Sequence, residues 1–207
     1  MQVIGITGGI ATGKTTIAKY LYGLGAYIID ADEIGRIVVK KGTEGYNKIF
    51  DVFGSQYFFP DGELDRKKLG KLVFNNALEL EKLNKITYPL IKRQIKRILS
   101  LLREKKQKIV IIDAAILIES GWYSMVDQVW LVVIDKTTQI QRLMERNHLS
   151  YREALSIINS QMDSKEKEKY SDRIIYNVGD EASVLNQIKV YWDELYHLER
   201  EIGRAHV

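Results

Sequence analysis

Gly8-Gly9-Ile10-Ala11-Thr12-Gly13-Lys14-Thr15 is a full match to the phosphate-binding pattern G-x-x-x-x-G-K-[ST]. Each fixed position has a physical job on a nucleoside triphosphate. Gly8 and Gly13 permit backbone conformations that a Cβ would block. The amides of Gly8, Gly9, Ala11, Thr12 and Gly13, continuing through Lys14, Thr15 and Thr16, can then turn inward around phosphate oxygens. Lys14 would reach the outer phosphates, and the Thr15 hydroxyl would sit on magnesium. The helix that starts here adds its positive dipole end.

The flanks supply the context this motif needs, a strand before it and a helix after it. Residues 2 to 7 read as a short apolar strand, and residues 14 to 24 as a helix with Ile17, Ala18, Leu21 and Leu24 on one face. Context matters here, because the four fixed positions alone would recur by chance in roughly one chain in a hundred of this length. The competing reading is an ordinary Gly-rich turn.

A chain of 207 residues suits one α/β domain with an inserted helical lobe. Hydrophobic residues are 45% and charged residues 28%, enough for a core and too apolar for disorder. Cysteine is absent, which excludes disulfides and Cys-ligated zinc and fits a reducing cytoplasm. His148, His197 and His206 have no metal-ligand spacing and read as surface residues. Met1 leads straight into the strand that the loop requires, so no signal peptide is expected. No apolar run approaches the ~20 residues of a membrane span. A net charge of +4 suits small anionic substrates as well as nucleic acid, and no helix-turn-helix, zinc-finger or aromatic RNA-binding signature accompanies it.

Beyond the first helix, Gly25 is a stop signal and Ala26 to Ile29 a second strand. Residues 32 to 62 read as a helix and a looser, Gly-punctuated segment, with Tyr57, Phe58 and Phe59 as core packing. From Asp65 to Lys106 the pattern is helical, broken at Pro89. Residues 109 to 113, 128 to 134 and 173 to 176 read as further strands. Helices are expected at 136 to 146, 151 to 162 and 181 to 202, the last with Val184, Leu185, Ile188, Trp192, Leu195 and Leu198 on one face. Ser150 and Glu153 form a capping box. Strands separated by helices indicate a parallel sheet covered on both faces.

Asp32 is the best candidate for a base. Phosphoryl transfer to an alcohol needs a carboxylate to accept the hydroxyl proton, and ligands in open parallel sheets bind beyond the carboxyl ends of strands. The competing reading makes Asp32 a helix cap, and Asp30 is an equal candidate within the pair. Asp113 ends a run of four apolar β-branched residues, the Walker B pattern for holding magnesium through water; a plain strand-end aspartate is the alternative. Glu119 is a possible second polar contact. Arg142 and Arg146 share a helix face, which suits a phosphate-clamping lid and also describes ordinary exposed arginines. Asp113 is not followed by x-x-Gly, and Asn-Lys-x-Asp is missing, which argues against a GTPase switch. A small-molecule kinase remains.

The ordered set of short elements resembles the dephospho-coenzyme A kinase family over nearly the whole length. The carriers are the loop from Gly5 to Thr15, Asp30-Ala31-Asp32, Phe53-Gly54, Asp61-Gly62, Leu64-Asp65-Arg66, Val73-Phe74 and Ala115 to Ser120. They continue with Gln139, Arg142, Leu143, Arg146, Gln161 and Asn177-Val178-Gly179. Three positions depart from the family pattern. Tyr88 precedes Pro89 where His is usual, Ala11 replaces a usual loop Gly at a position that the motif leaves open, and Ala115 replaces a Pro.

The resemblance implies an α/β P-loop NTPase fold with a five-stranded parallel sheet of order 2-3-1-4-5. It implies ATP-dependent phosphorylation of the ribose 3′-hydroxyl of dephospho-coenzyme A, the last step of coenzyme A synthesis. Lys14 and the loop amides would bind ATP, Asp32 would be the base, Arg142 and Arg146 would clamp from the lid, and Asn177 would lie near the adenine. Thr15 and Asp113 would hold Mg²⁺. Arg66, Tyr88, Glu119 and Asp32 would meet the acceptor. One domain of residues 1–207 is expected, with a core at 1–31 and 107–207, an acceptor lobe at 32–106 and a lid at 139–165. The expected setting is cytoplasmic, as a monomer or weak homo-oligomer without nucleic acid or membrane partners. A nucleoside monophosphate kinase of the same fold is the alternative, and a non-catalytic nucleotide-binding module is a more distant one.

Overall fold

The computed structural model of the chain describes the backbone of residues 1–204 and the side chains of residues 1–196. Two compact units are present, one formed by Met1–Ile29 with the chain from Leu102 onward, the other by Asp30–Leu101.

The first unit is built on a sheet of β1 (Gln2–Thr7), β2 (Tyr27–Asp30), β3 (Ile109–Asp113), β4 (Gln128–Val133) and β5 (Arg173–Tyr176). Its order is β2-β3-β1-β4-β5, and it is parallel. The near-continuous apolar runs of β1, β3 and β4 are what a sheet buried on both faces demands. The register sets Ile6 beside Asp113, Thr7 beside Leu131 and Val133 beside Tyr176. Four strands therefore end at one edge. Helices α1 (Lys14–Gly23) and α9 (Glu181–Arg204) cover one face through Ile17, Leu21, Ile188 and Trp192, which pack with Trp130 of β4. The expected core residues Val184, Ile188, Trp192 and Leu195 are buried. The side chains of Leu198, His197 and His206 lie outside the described residues; His148 is exposed, as expected.

The second unit holds α2 (Ala31–Ile37), α3 (Glu44–Phe53), α4 (Arg66–Asn75) and most of α5 (Ala77–Glu104). Two expectations fail here. The looser segment contains α3, because Thr43 caps it by accepting from Tyr46 N at 3.2 Å and Ile49 and Phe53 give it a buried face. Pro89 does not break the long helix. It lies inside α5, on the exposed side with Lys85, so the carbonyl that loses its proline partner can face water while Leu90, Ile91, Ile95 and Leu99 stay buried. Of the three aromatics read as core, Tyr57 stacks on Phe53 and Phe58 on Tyr46 and Phe50, but Phe59 is half exposed.

Among the described residues no helix is long and apolar enough to cross a membrane. Replacing Pro89 with Ala restores a helical N–H and should raise the unfolding free energy by about 1 kcal/mol. Urea denaturation checks this; a loss of stability would show that the ring itself packs.

Candidate active site

The loop from Gly8 to Gly13 leaves β1 at the sheet's carboxyl edge. Gly8 is required by close approach to backbone, and Gly13 by its positive φ. A Cβ on Gly8 (φ 151°) would lie 2.4 Å from the Val132 carbonyl oxygen, and one on Gly13 (φ 94°) 2.2 Å from Asn177 Nδ2. Gly13 provides no side-chain cap to α1, and the first turn holds no acidic residue, so the positive helix end opens onto the loop. Lys14 Nζ donates to the carbonyls of Gly8 at 2.9 Å and Gly9 at 3.1 Å, holding the ammonium against the loop. Thr15 and Thr16 are exposed at the start of α1.

The loop is braced from three sides. Thr12 is buried, and its hydroxyl donates to Gly9 O at 2.9 Å. Asn177, just past β5, donates to Thr12 O at 2.7 Å. The third brace comes from α6 (Lys136–Asn147) and from the turn between α7 (Tyr151–Asn159) and α8 (Ser164–Glu168). Gln139 Nε2 donates to Ile10 O at 2.8 Å, and Ile10 N donates to Gln161 Oε1 at 2.8 Å. One residue at the loop's apex is held through both its backbone polar groups. Ile10 and Ala11 also pack on the apolar cluster that joins α6 and α7, around Ile140, Leu143 and Ala154. A cavity of about 360 Å³ lies here, lined by Gly9, Thr12, Val132, Gln139 and Gln161 among others.

The Ala11 position, which the motif leaves open, is conformationally restricted. Its φ is 63°, in the left-handed region that favours glycine; a side chain there costs about 1 kcal/mol. The packing of Ala11 against the α6–α7 cluster offsets this. Helix α7 also ends at Asn159 rather than running to residue 162, since Gln161 and Met162 turn aside to bond Ile10 and Glu119. The capping box at Ser150 and Glu153 is present, and hydrogen bonds from the Ser150 hydroxyl and then its amide hold the Glu153 carboxyl below the usual range. Asp135 caps α6, and bonds from the Thr138 amide and hydroxyl lower it likewise.

Arg142 and Arg146, the two arginines of α6, are exposed and differ in placement. Arg142 Nη1 reaches Gly13, 3.9 Å from where a Cβ would stand, whereas Arg146 Nε donates to Asn147 Oδ1 at 2.8 Å on its own helix. Asp113 ends β3 beside Ile6, and Ala114 N donates to Ile6 O at 3.0 Å. Glu119 accepts from Lys167 and from Met162 N, which ties it to the segment around α8. In the second unit, Asp30 caps α2 by accepting from Glu33 N at 2.9 Å. Asp32 stands exposed in the first turn of that helix. Arg66 Nη2 donates to Arg36 O at 2.8 Å, and Tyr88 is half-buried in α5. Gln139 and Gln161 had no signal in periodicity or composition; only their place in the ordered resemblance marked them. Lys167 had none at all, lying in a Lys- and Glu-rich run that reads as a solvated face.

A parallel sheet of this order with a phosphate loop after its central strand and helices packed on that loop defines a P-loop kinase fold. The dephospho-CoA kinase family model matches residues 2–183. A dephospho-CoA kinase of Dehalococcoides mccartyi is 46% identical over 178 residues, 86% of this chain and 89% of that protein. The crystal structure of a Thermus thermophilus protein superposes with a TM-score of 0.79 at 28% identity, covering 94% of this chain and 97% of the other. The dephospho-CoA kinase from Campylobacter jejuni superposes at 0.66 with 27% identity over 100% of each chain. The chain belongs to the dephospho-CoA kinase family.

The glutamine brace has a measurable consequence. Gln139→Ala and Gln161→Ala should each weaken nucleotide binding by about fivefold, the worth of one hydrogen bond near 1 kcal/mol. Calorimetric titration of each variant checks this; unchanged affinity in both would show that the loop holds its shape without them.

Proposed function

We propose that this chain transfers the γ-phosphoryl group of ATP to the ribose 3′-hydroxyl of dephospho-coenzyme A. The observation that carries the reading is the braced, Lys14-bearing loop, in a chain that belongs to the dephospho-CoA kinase family. The loop amides and Lys14 bind the ATP phosphates, and Asn177 borders the adenine. The acceptor oxygen attacks the γ-phosphorus, the bond to the bridging β–γ oxygen breaks, and ADP leaves. The hydroxyl proton passes to Asp32. Asp30 closes β2 at the strand's carboxyl end and caps α2, and Asp32 follows in the first turn of that helix.

Charge spreads onto the transferred oxygens, and guanidinium groups counter it. Arg142 is the nearer candidate because it reaches Gly13; Arg146 would have to give up Asn147 to join it. Thr15 and Asp113 offer oxygen donors, the chemistry that magnesium prefers, and Asp113 neighbours β1 in the sheet. When bound there, Mg²⁺ supplies charge neutralisation on the phosphates. In this reading residues 32–106 receive the acceptor and residues 139–165 are the lid. Arg66 contributes an anion contact, since its bond to Arg36 O uses one of five N–H donors. Tyr88 stands where the family's usual His would be, and Glu119 borders the acceptor through the segment it anchors. The enzyme works in the cytoplasm as a monomer or weak homo-oligomer, on a small molecule rather than on nucleic acid.

An acceptor panel tests this. With ATP and Mg²⁺, dephospho-coenzyme A should be turned over in preference to nucleoside monophosphates, and Asp32→Asn should lower kcat by about 10²-fold or more with ATP affinity unchanged. Preference for a nucleoside monophosphate would overturn the acceptor, and near-normal kcat in the variant would remove Asp32 as base.

A further inference from the structure

Among the described residues, Lys167 is the one charged residue that is fully buried. It lies in α8, and its ammonium makes two contacts. Nζ donates to Ala115 O at 2.7 Å and pairs with Glu119 Oε1 at 2.8 Å. Both partners belong to the segment that follows Asp113, and each has another bond. Ala115 O also accepts from the Thr7 hydroxyl at 3.2 Å, from the last residue of β1 before the phosphate loop. Glu119 Oε1 also accepts from Met162 N at 3.3 Å, one residue after Gln161. Three segments thus meet at one ammonium: the end of β1, the chain after β3, and the return from the α6–α7 lid.

Stability does not explain this arrangement. Removing two charges from water is costly, and a buried ion pair is commonly no better than an apolar pair of the same volume. Glu119 Oε2 adds to the cost, being buried with no hydrogen-bond partner among the described residues. Directional bonds do what an apolar pair would not, since they specify one relative position for the groups they join.

We propose that Lys167 is a positioning residue. By fixing Ala115 O and Glu119, it sets the segment after Asp113 against the phosphate loop and the lid return, and so supports the transfer step rather than nucleotide binding. This rests on the kinase reading above.

Three proteins test it, assayed for ATP affinity and for turnover of dephospho-coenzyme A. Lys167→Met/Glu119→Leu removes both charges and keeps an apolar pair. Its thermal midpoint should stay near that of the wild type, with kcat at least tenfold lower and the ATP dissociation constant within about twofold. Lys167→Arg keeps the charge but changes the direction and reach of the donors. It should also fold, bind ATP normally and lose at least tenfold in kcat. Wild-type kcat in either folded variant would overturn the proposal, as would a matching loss of ATP affinity. Failure of both variants to fold would overturn it too, by making the pair a matter of stability. The wild type in the same assay separates the two claims. If it does not turn over the acceptor, the kinase reading fails; if it and the variants turn over alike, only the positioning role fails.

Discussion

A turn of backbone at the end of β1 has to point its amides inward, and the rest of the first unit is arranged around that requirement. The turn cannot hold itself. Gly8 is pressed against the Val132 carbonyl and Gly13 against the Asn177 side chain. At the apex, two glutamines occupy the backbone amide and carbonyl of Ile10. The strands contribute by ending together, so that residues distant in sequence, such as Thr12 and Asn177, become direct partners. A braced loop has less conformational freedom to lose when it orders around phosphate, which is how preorganisation turns contacts into affinity.

The loop and the α6–α7 helices are packed together. Ile10 and Ala11 are loop residues by sequence, yet they pack with the apolar cluster of those helices. Ala11 shows what this does to a local rule. Its positive φ is a position for glycine, and the chain keeps a side chain there because tertiary contact offsets the strain.

The loop, the strands and the apolar faces of α1 and α9 were legible in the sequence because they obey local rules, while the sheet order followed from the family resemblance. A motif with four fixed positions and runs such as Ile109 to Asp113 carry their own signal. What was not legible depended on distant partners. Pro89 reads as a breaker, but its place on the exposed side of α5 lets the helix continue. Residues 160 to 162 continue the helical pattern of α7, but their backbone and side chains bond Ile10 and Glu119 instead. Lys167 reads as a solvated charge among Lys165, Glu166, Glu168 and Lys169, and only the fold reveals it as buried. At the site, the sequence put Asp32 first as base with Asp30 as its rival; that Asp30 caps α2 through Glu33 N is seen only in the fold.

The central claim is that Gly8 to Thr15 is a working phosphate cradle with Lys14 as its cation. Lys14 donates to the carbonyls of Gly8 and Gly9 within the loop itself, so activity and fold are read together in its variant. The direct measurement is kcat/KM for ATP in Lys14→Ala beside the thermal midpoint of the same protein. The account predicts a loss of about 10²-fold or more with a midpoint within a few degrees of wild type. Unchanged kcat/KM in a folded variant would contradict it.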